Sequence, residues 1–146
     1  MLLGVITAPT LRPDGSILEH PGYDAATGLL FDPRGVWFPR ISEAPTRDQA
    51  LAALDLIKQP IALFNFVTEA DRSVALSNII SAIIRRGLSF VPMHGFSAPV
   101  AGSGKSLQVD IAAEIGTGSP AAVTAVGADQ EELDKRIAAA LLGVIK

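Results

Sequence analysis

The chain has 146 residues, 49% of them hydrophobic and 18% charged, with a net charge of −3. That is enough apolar material for one buried core, so global disorder is excluded, and the charge excludes a generally basic nucleic-acid binder while leaving room for a local basic patch. With no cysteine there are no disulfides or thiolate metal sites, and no apolar run reaches the roughly 18 residues of a membrane span. The apolar start Met1 to Ile6 lacks the basic flank of a signal peptide, so a soluble, cytoplasmic protein is expected.

Three regions follow in order. Residues 1–45 are rich in Pro and Gly and read as small hairpins rather than a large sheet. Leu2 to Thr7 is an expected strand, Arg12-Pro13-Asp14-Gly15-Ser16 a turn, and Ser16 to Glu19 a returning strand. Pro21-Gly22-Tyr23-Asp24 and Ala26-Thr27-Gly28 read as further turns. Leu29 to Phe31 reads as a short strand, and Val36 to Phe38 as another short apolar piece.

Residues 46–92 read as helical. A helix is expected after Thr46, with Leu51, Leu54 and Ile57 among its apolar positions, stopping before Pro60. Thr68, followed by Glu69 and Asp71, is a helix start. The helix from about 69 to 86 carries Val74, Leu76, Ile79, Ile80, Ile83 and Ile84, and ends at Arg85-Arg86-Gly87, where cations oppose the helix dipole.

Residues 93–146 read as strand, helix, strand, helix and the start of a strand. The segments are Met93 to Ala98, Lys105 to Ile115, Ala121 to Val126, a helix from Asp129 to about Leu142 with Asp129 and Glu132 as a capping box, and Val144 to Lys146. This is the order of a parallel α/β sheet. The fold class expected is therefore α/β: a partial parallel sheet of the phosphate-loop NTPase kind with flanking helices, preceded by a small hairpin-rich N-terminal region.

The residues that carry chemistry are Pro99-Val100-Ala101-Gly102-Ser103-Gly104-Lys105-Ser106. The phosphate-loop pattern is Gly, four residues, then Gly-Lys-Ser/Thr, and Gly104-Lys105-Ser106 supply its strict part. Pro99 stands where the first Gly would be, so the motif is a relaxed form. Gly102 and Gly104 let successive amides turn inward around phosphate oxygens, at the positive end of the following helix. Lys105 would reach the β- and γ-phosphates and Ser106 would ligate Mg²⁺. The expected nucleotide contacts run from Pro99 through Leu107, the ligands being ATP and Mg²⁺. The competing reading is a flexible Gly/Ser turn with an ordinary lysine.

A hydrolytic site also needs an acid at the end of a neighbouring strand. The acids after the loop are Asp110, Glu114, Asp129, Glu131, Glu132 and Asp134, and only Asp129 follows an apolar stretch, where it also reads as a helix cap. Arg136, the one arginine after the loop, reads as a solvated helix residue rather than a finger on the phosphates.

Several segments together resemble phage- and plasmid-type primase–helicase proteins. They are Pro9 to Leu18, Pro21-Gly22-Tyr23-Asp24, Thr27 to Phe31, Phe66 to Arg72 and the loop Ala98 to Ser106, in which Pro at the first-Gly place is familiar for that family. The resemblance covers most of the chain. It implies the ATP-binding part of a DNA primase/helicase-like ATPase of a phage, plasmid or integrated mobile element. It also implies that an acidic strand resembling a Walker B element would follow Lys146, so this chain would bind ATP without turning it over. DNA and oligomer partners would come through the parent motor.

The alternative is a non-catalytic DNA-binding or assembly module. Arg85-Arg86 then touch a DNA backbone instead of solvating a helix end, and Tyr23 and Trp37 stack on bases instead of packing a small subdomain. His20 and His94 are too few and too distant in sequence to imply a metal site.

Overall fold

The computed structural model describes residues 1–124 and 129–143. It is a mixed α/β chain: a small N-terminal β region followed by four α-helices among the described residues. Strands β1 (Gly4–Ile6), β2 (Thr10–Leu11), β3 (Ile17–Leu18), β4 (Gly22–Asp24) and β5 (Leu29–Phe31) form two small sheets. One has the order β1-β5-β4, with β1 parallel to β5 and β4 antiparallel to it; the other is the β2–β3 hairpin.

The Pro13-Asp14-Gly15 turn closes that hairpin. Asp14 Oδ1 accepts from the Ser16 amide at 2.9 Å and from the Ser16 hydroxyl at 2.7 Å. The expected strand at Ser16 to Glu19 is thus present in shortened form. Its partner Thr10–Leu11 carries no strand signal of its own, being two residues between Pro9 and the turn.

Two expectations change here. Pro21-Gly22-Tyr23-Asp24 is not a turn, because Gly22 to Asp24 pairs with Leu29 to Phe31 across the Ala25 to Gly28 turn. The region is also more than hairpins, since β1 and β5, far apart in sequence, pair in parallel. Their inward residues Ile6, Leu29 and Phe31 bury with Leu18, and Phe38 packs on Phe31 with ring centroids 6.1 Å apart. Of the short apolar piece after β5 only Phe38 joins this core; Trp37 takes no part in it and is 81% exposed.

Helix α1 (Arg47–Lys58) starts on a capping box in which Thr46 and Gln49 exchange hydrogen bonds, and it passes into a 3-10 turn at Gln59–Ile61 around Pro60. Only Leu54 and Ile57 of this helix are even half-buried. Helix α2 (Glu69–Ile84) has a second capping box, between Thr68 and Asp71, and tightens to a 3-10 turn at Arg85–Gly87. Its buried stripe is Ala75, Ile79 and Ser81, with Val74 exposed instead.

Helix α3 (Lys105–Thr117) packs along α2, and a Cβ on Gly116 would lie 2.9 Å from Ala82 Cβ. The second core forms there: Ile61, Ala75, Ile79 and Ala112, with Phe64, Phe66, Phe96 and Ile111 around them. Each fully buried Ile contributes about 1.5–3 kcal/mol. Helix α4 (Gln130–Gly143) follows.

Among the described residues of 93–146 there is no strand. Met93 to Ala98 is extended but unpaired, with prolines at 92 and 99 removing amide donors at both ends and Gly95 offering no side chain. Ala121 to Thr124 is also unpaired, with Val123 exposed; the rest of that expected strand, and Val144 to Lys146, lie outside the described residues. The parallel pairing in the described chain is therefore β1 with β5, upstream of the loop, and not a ladder feeding it. Among the described residues no helix is long and apolar enough to cross a membrane.

Candidate nucleotide-binding site

The loop from Pro99 to Gly104 connects an extended segment to the N-terminus of α3. The extended segment is tied to α2 in two ways: His94 Nε2 lies 3.1 Å from Ser77 Oγ, and Phe96 packs into the helical core. A side-chain anchor thus takes the place of the expected strand ladder. His94 serves this anchor and stands in no metal cluster among the described residues.

Two glycines shape the loop. Gly102 (φ +76°) and Gly104 (φ +86°) both lie in the left-handed region that side chains disfavour. A Cβ on Gly102 would meet nothing within 4 Å, so that side of the loop is open. A Cβ on Gly104 would sit 2.6 Å from Phe64 Cε1, so Phe64 backs the loop at the point where α3 begins. Gly104 is the N-cap of α3 and offers no side chain to the first turn; its carbonyl accepts from the Gln108 amide at 3.0 Å. The helix therefore opens with backbone donors free of side-chain capping, the arrangement that suits an anion.

Lys105 folds back over the loop. Its Nζ donates to the Val100 carbonyl and to Ser103 Oγ, each at 3.3 Å. Both bonds are long, and the groups that make them are easily exchanged for phosphate oxygens. Ser106 and Leu107 are exposed in the first turn of α3. Pro99, Val100, Ala101, Gly102 and Ser103 are likewise exposed, while Gly104 and Lys105 are half-buried. The structure therefore brings the expected residues Pro99 to Leu107 into one continuous, solvent-open turn and helix start.

The acids after the loop have other uses. Asp110 Oδ1 accepts from the Ala121 amide at 3.2 Å and fixes the chain leaving α3. Asp129 Oδ1 accepts from the Glu131 amide at 3.2 Å, a cap on the second helical residue in place of the expected pairing with Glu132. Glu131 pairs with Lys135 and Glu132 with Arg136 along α4, and Asp134 accepts from Gln130. Glu114 is exposed on α3.

The Pro-Gly-Tyr-Asp segment has a role that the sequence does not display. Asp24 accepts from Arg12 Nε at 3.3 Å, from an Arg12 terminal nitrogen at 3.1 Å, and from the Thr27 hydroxyl at 2.6 Å. Arg12 also donates to the Ile17 carbonyl at 2.9 Å. One ion pair thus joins the hairpin to the sheet and holds the β4–β5 turn. Hydrogen bonds from Arg12, then from Thr27, keep the Asp24 carboxyl below its ordinary range. Tyr23, half-exposed, donates from its hydroxyl to the Met1 carbonyl at 3.2 Å.

Compared with family models, curated proteins and solved structures, the chain matches none.

Proposed function

We propose that the loop from Pro99 to Ser106 binds a nucleoside triphosphate, ATP being the expected one, with Mg²⁺. The observation that carries the reading is the pair of left-handed glycines at an uncapped helix start, with Lys105 lying across the same turn. The amides around Gly102 to Lys105 would hold phosphate oxygens. Lys105 would exchange Val100 and Ser103 for the β- and γ-phosphates, and the exposed Ser106 would ligate the metal through its hydroxyl. The metal would supply charge neutralisation on the phosphates. Phe64 supports the reading as a rigid wall that keeps Gly104 in place.

Binding without turnover is part of the proposal. Asp110, Asp129, Glu131, Glu132 and Asp134 already serve local structure, and Glu114 sits on the loop helix itself rather than at the end of a neighbouring strand, so none is offered as the acid that would position water. The wider assignment, to the ATP-binding part of a primase/helicase-like motor of a phage, plasmid or mobile element with DNA and further copies as partners, rests on the sequence resemblance.

The test is equilibrium binding of a fluorescent ATP analogue with and without Mg²⁺. The reading expects Mg²⁺ to tighten binding and Ser106→Ala to remove most of that gain; Mg²⁺-independent binding would contradict the role given to Ser106. A second reading, a DNA-binding or assembly module without nucleotide, is favoured by the exposure of Trp37 and Phe90, at 81% and 91%. It expects binding to DNA or to itself that Lys105→Ala leaves unchanged.

A further inference from the structure

A cleft of about 320 Å³ lies between the N-terminal sheet and the C-terminal ends of α2 and α3. One wall is the chain from Val5 to Thr10, and the facing wall is Ala82, Ile83, Arg85 and Arg86 with Ile115 to Ser119. Arg34 enters from the turn after β5. Three arginines, Arg34, Arg85 and Arg86, therefore line one concavity, and no Asp or Glu lines it.

We propose that this cleft is a second anion site that takes a phosphate-bearing small molecule, gripped by Arg34, Arg85 and Arg86. Elsewhere Arg12 pairs with Asp24, and Arg72 with Glu69 and the Phe66 ring. The three in the cleft make no ion pair and no side-chain hydrogen bond among the described residues. Arg34 is also the one non-glycine described residue at positive φ, +49°, with its amide held by Asp32 Oδ1 at 3.0 Å.

The opposing electrostatics are smaller. The C-terminal ends of α2 and α3 each bring about −0.5 of a charge, which leaves roughly two of the three positive charges uncompensated. Although Arg86 is exposed as a residue, crowding of its guanidinium by the cleft walls, and then the neighbouring Arg85 charge, push its pKa below the ordinary value. A bound dianion would relieve both effects, and planar guanidinium groups match phosphate oxygens in pairs.

Shape selects the ligand class. The volume lies at the small end of small-molecule sites and the space is walled on two sides, which fits a phosphate ester better than an extended strand or duplex. The site is separate from the phosphate loop, because α3 holds Lys105 about 18 Å from Thr117 along its axis. It stands whether or not the loop binds a nucleotide.

The experiment therefore uses the full chain carrying Lys105→Ala, with inorganic pyrophosphate titrated by calorimetry at fixed ionic strength. The expected result is saturable binding at one site, weakened at least tenfold by Arg85→Gln or Arg86→Gln and also by Arg34→Gln, with unchanged circular dichroism. Arg34 and Arg85 decide the matter if the Arg86 variant fails to fold. No saturable binding by the folded Lys105→Ala chain would overturn the proposal, as would binding indifferent to all three arginines. An oligothymidylate that binds through these arginines where pyrophosphate does not would also overturn it, in favour of a nucleic-acid contact.

Discussion

Gly104 meets two separate demands. Its φ of +86° costs an L side chain roughly 1–2 kcal/mol, and the space for a Cβ is already occupied by Phe64 at 2.6 Å. Gly104→Ala is expected to lower stability by about 2 kcal/mol or more, measured by denaturant unfolding, and to weaken nucleotide binding as the loop shifts. In a Phe64→Leu background the penalty should shrink, because only the contact and not the backbone strain is relieved; equal penalties in both backgrounds would remove Phe64 from the account. Asp24 makes a different prediction. Its folded-state pKa is lowered, by Arg12 first and Thr27 next, so its contribution is fully present above the unfolded carboxyl value near about pH 4 and is lost as pH falls through the folded value. Unfolding followed from pH 6 down to pH 3 should show a loss of stability at the acid end that is smaller in Asp24→Asn. An identical acid limb in that variant would show that the pair contributes nothing to the pH dependence.

The helices are the elements whose beginnings are written most clearly. Thr68 caps α2 through the Asp71 amide while Asp71 returns a bond to Thr68, so Thr68→Ala should cost about 1 kcal/mol, read by thermal or denaturant unfolding. The same chemistry at Thr46 starts α1, and Asp129 caps α4 through its second residue rather than its third. Caps are legible because they depend on residues three apart. Strands were legible as short apolar runs, Leu2 to Thr7 and Leu29 to Phe31, or where a turn fixed the return, as Pro13-Asp14-Gly15 fixes the hairpin. The parallel pairing of β1 with β5 joins residues 25 apart in register, Gly4 with Leu29, and no local pattern encodes it. The Gly22 to Asp24 strand was hidden for a similar reason: Gly and Asp read as turn residues, but Asp24 is held extended by Arg12 from another hairpin. Met93 to Ala98 had enough apolar residues to resemble a strand, yet an apolar segment becomes one only with a partner, and here Phe96 and His94 turn to α2 instead.

For the whole molecule, there are two small cores, and α2 belongs to the second of them. The 3-10 turn that ends α2 approaches the hairpin, where a Cβ on Gly87 would come within 2.7 Å of Leu11, and the length of α2 supports α3 and so the loop. The backbone of the loop was legible, since Gly102 and Gly104 take the left-handed φ such a turn requires and α3 begins at Lys105. Its supports were not: Phe64, Ser77 and Asp110 reach the loop or its helix from 11 to 40 residues away, or fix the chain beyond it, by contacts that leave no mark in local sequence. The arginine cleft was half visible, as Arg85-Arg86 at a helix end, with Arg34 brought to it only by the fold. The proposed triphosphate site at the Pro99–Ser106 turn is tested most directly by titrating the folded chain and its Lys105→Ala variant with ATP and Mg²⁺ by calorimetry. Among the described residues the Lys105 ammonium hydrogen-bonds only to the loop's own Val100 and Ser103, so the variant should stay folded. The account predicts saturable one-site binding by the native chain and at least a tenfold loss in the variant; a folded native chain that binds no ATP, or a variant that binds it equally well, would contradict it.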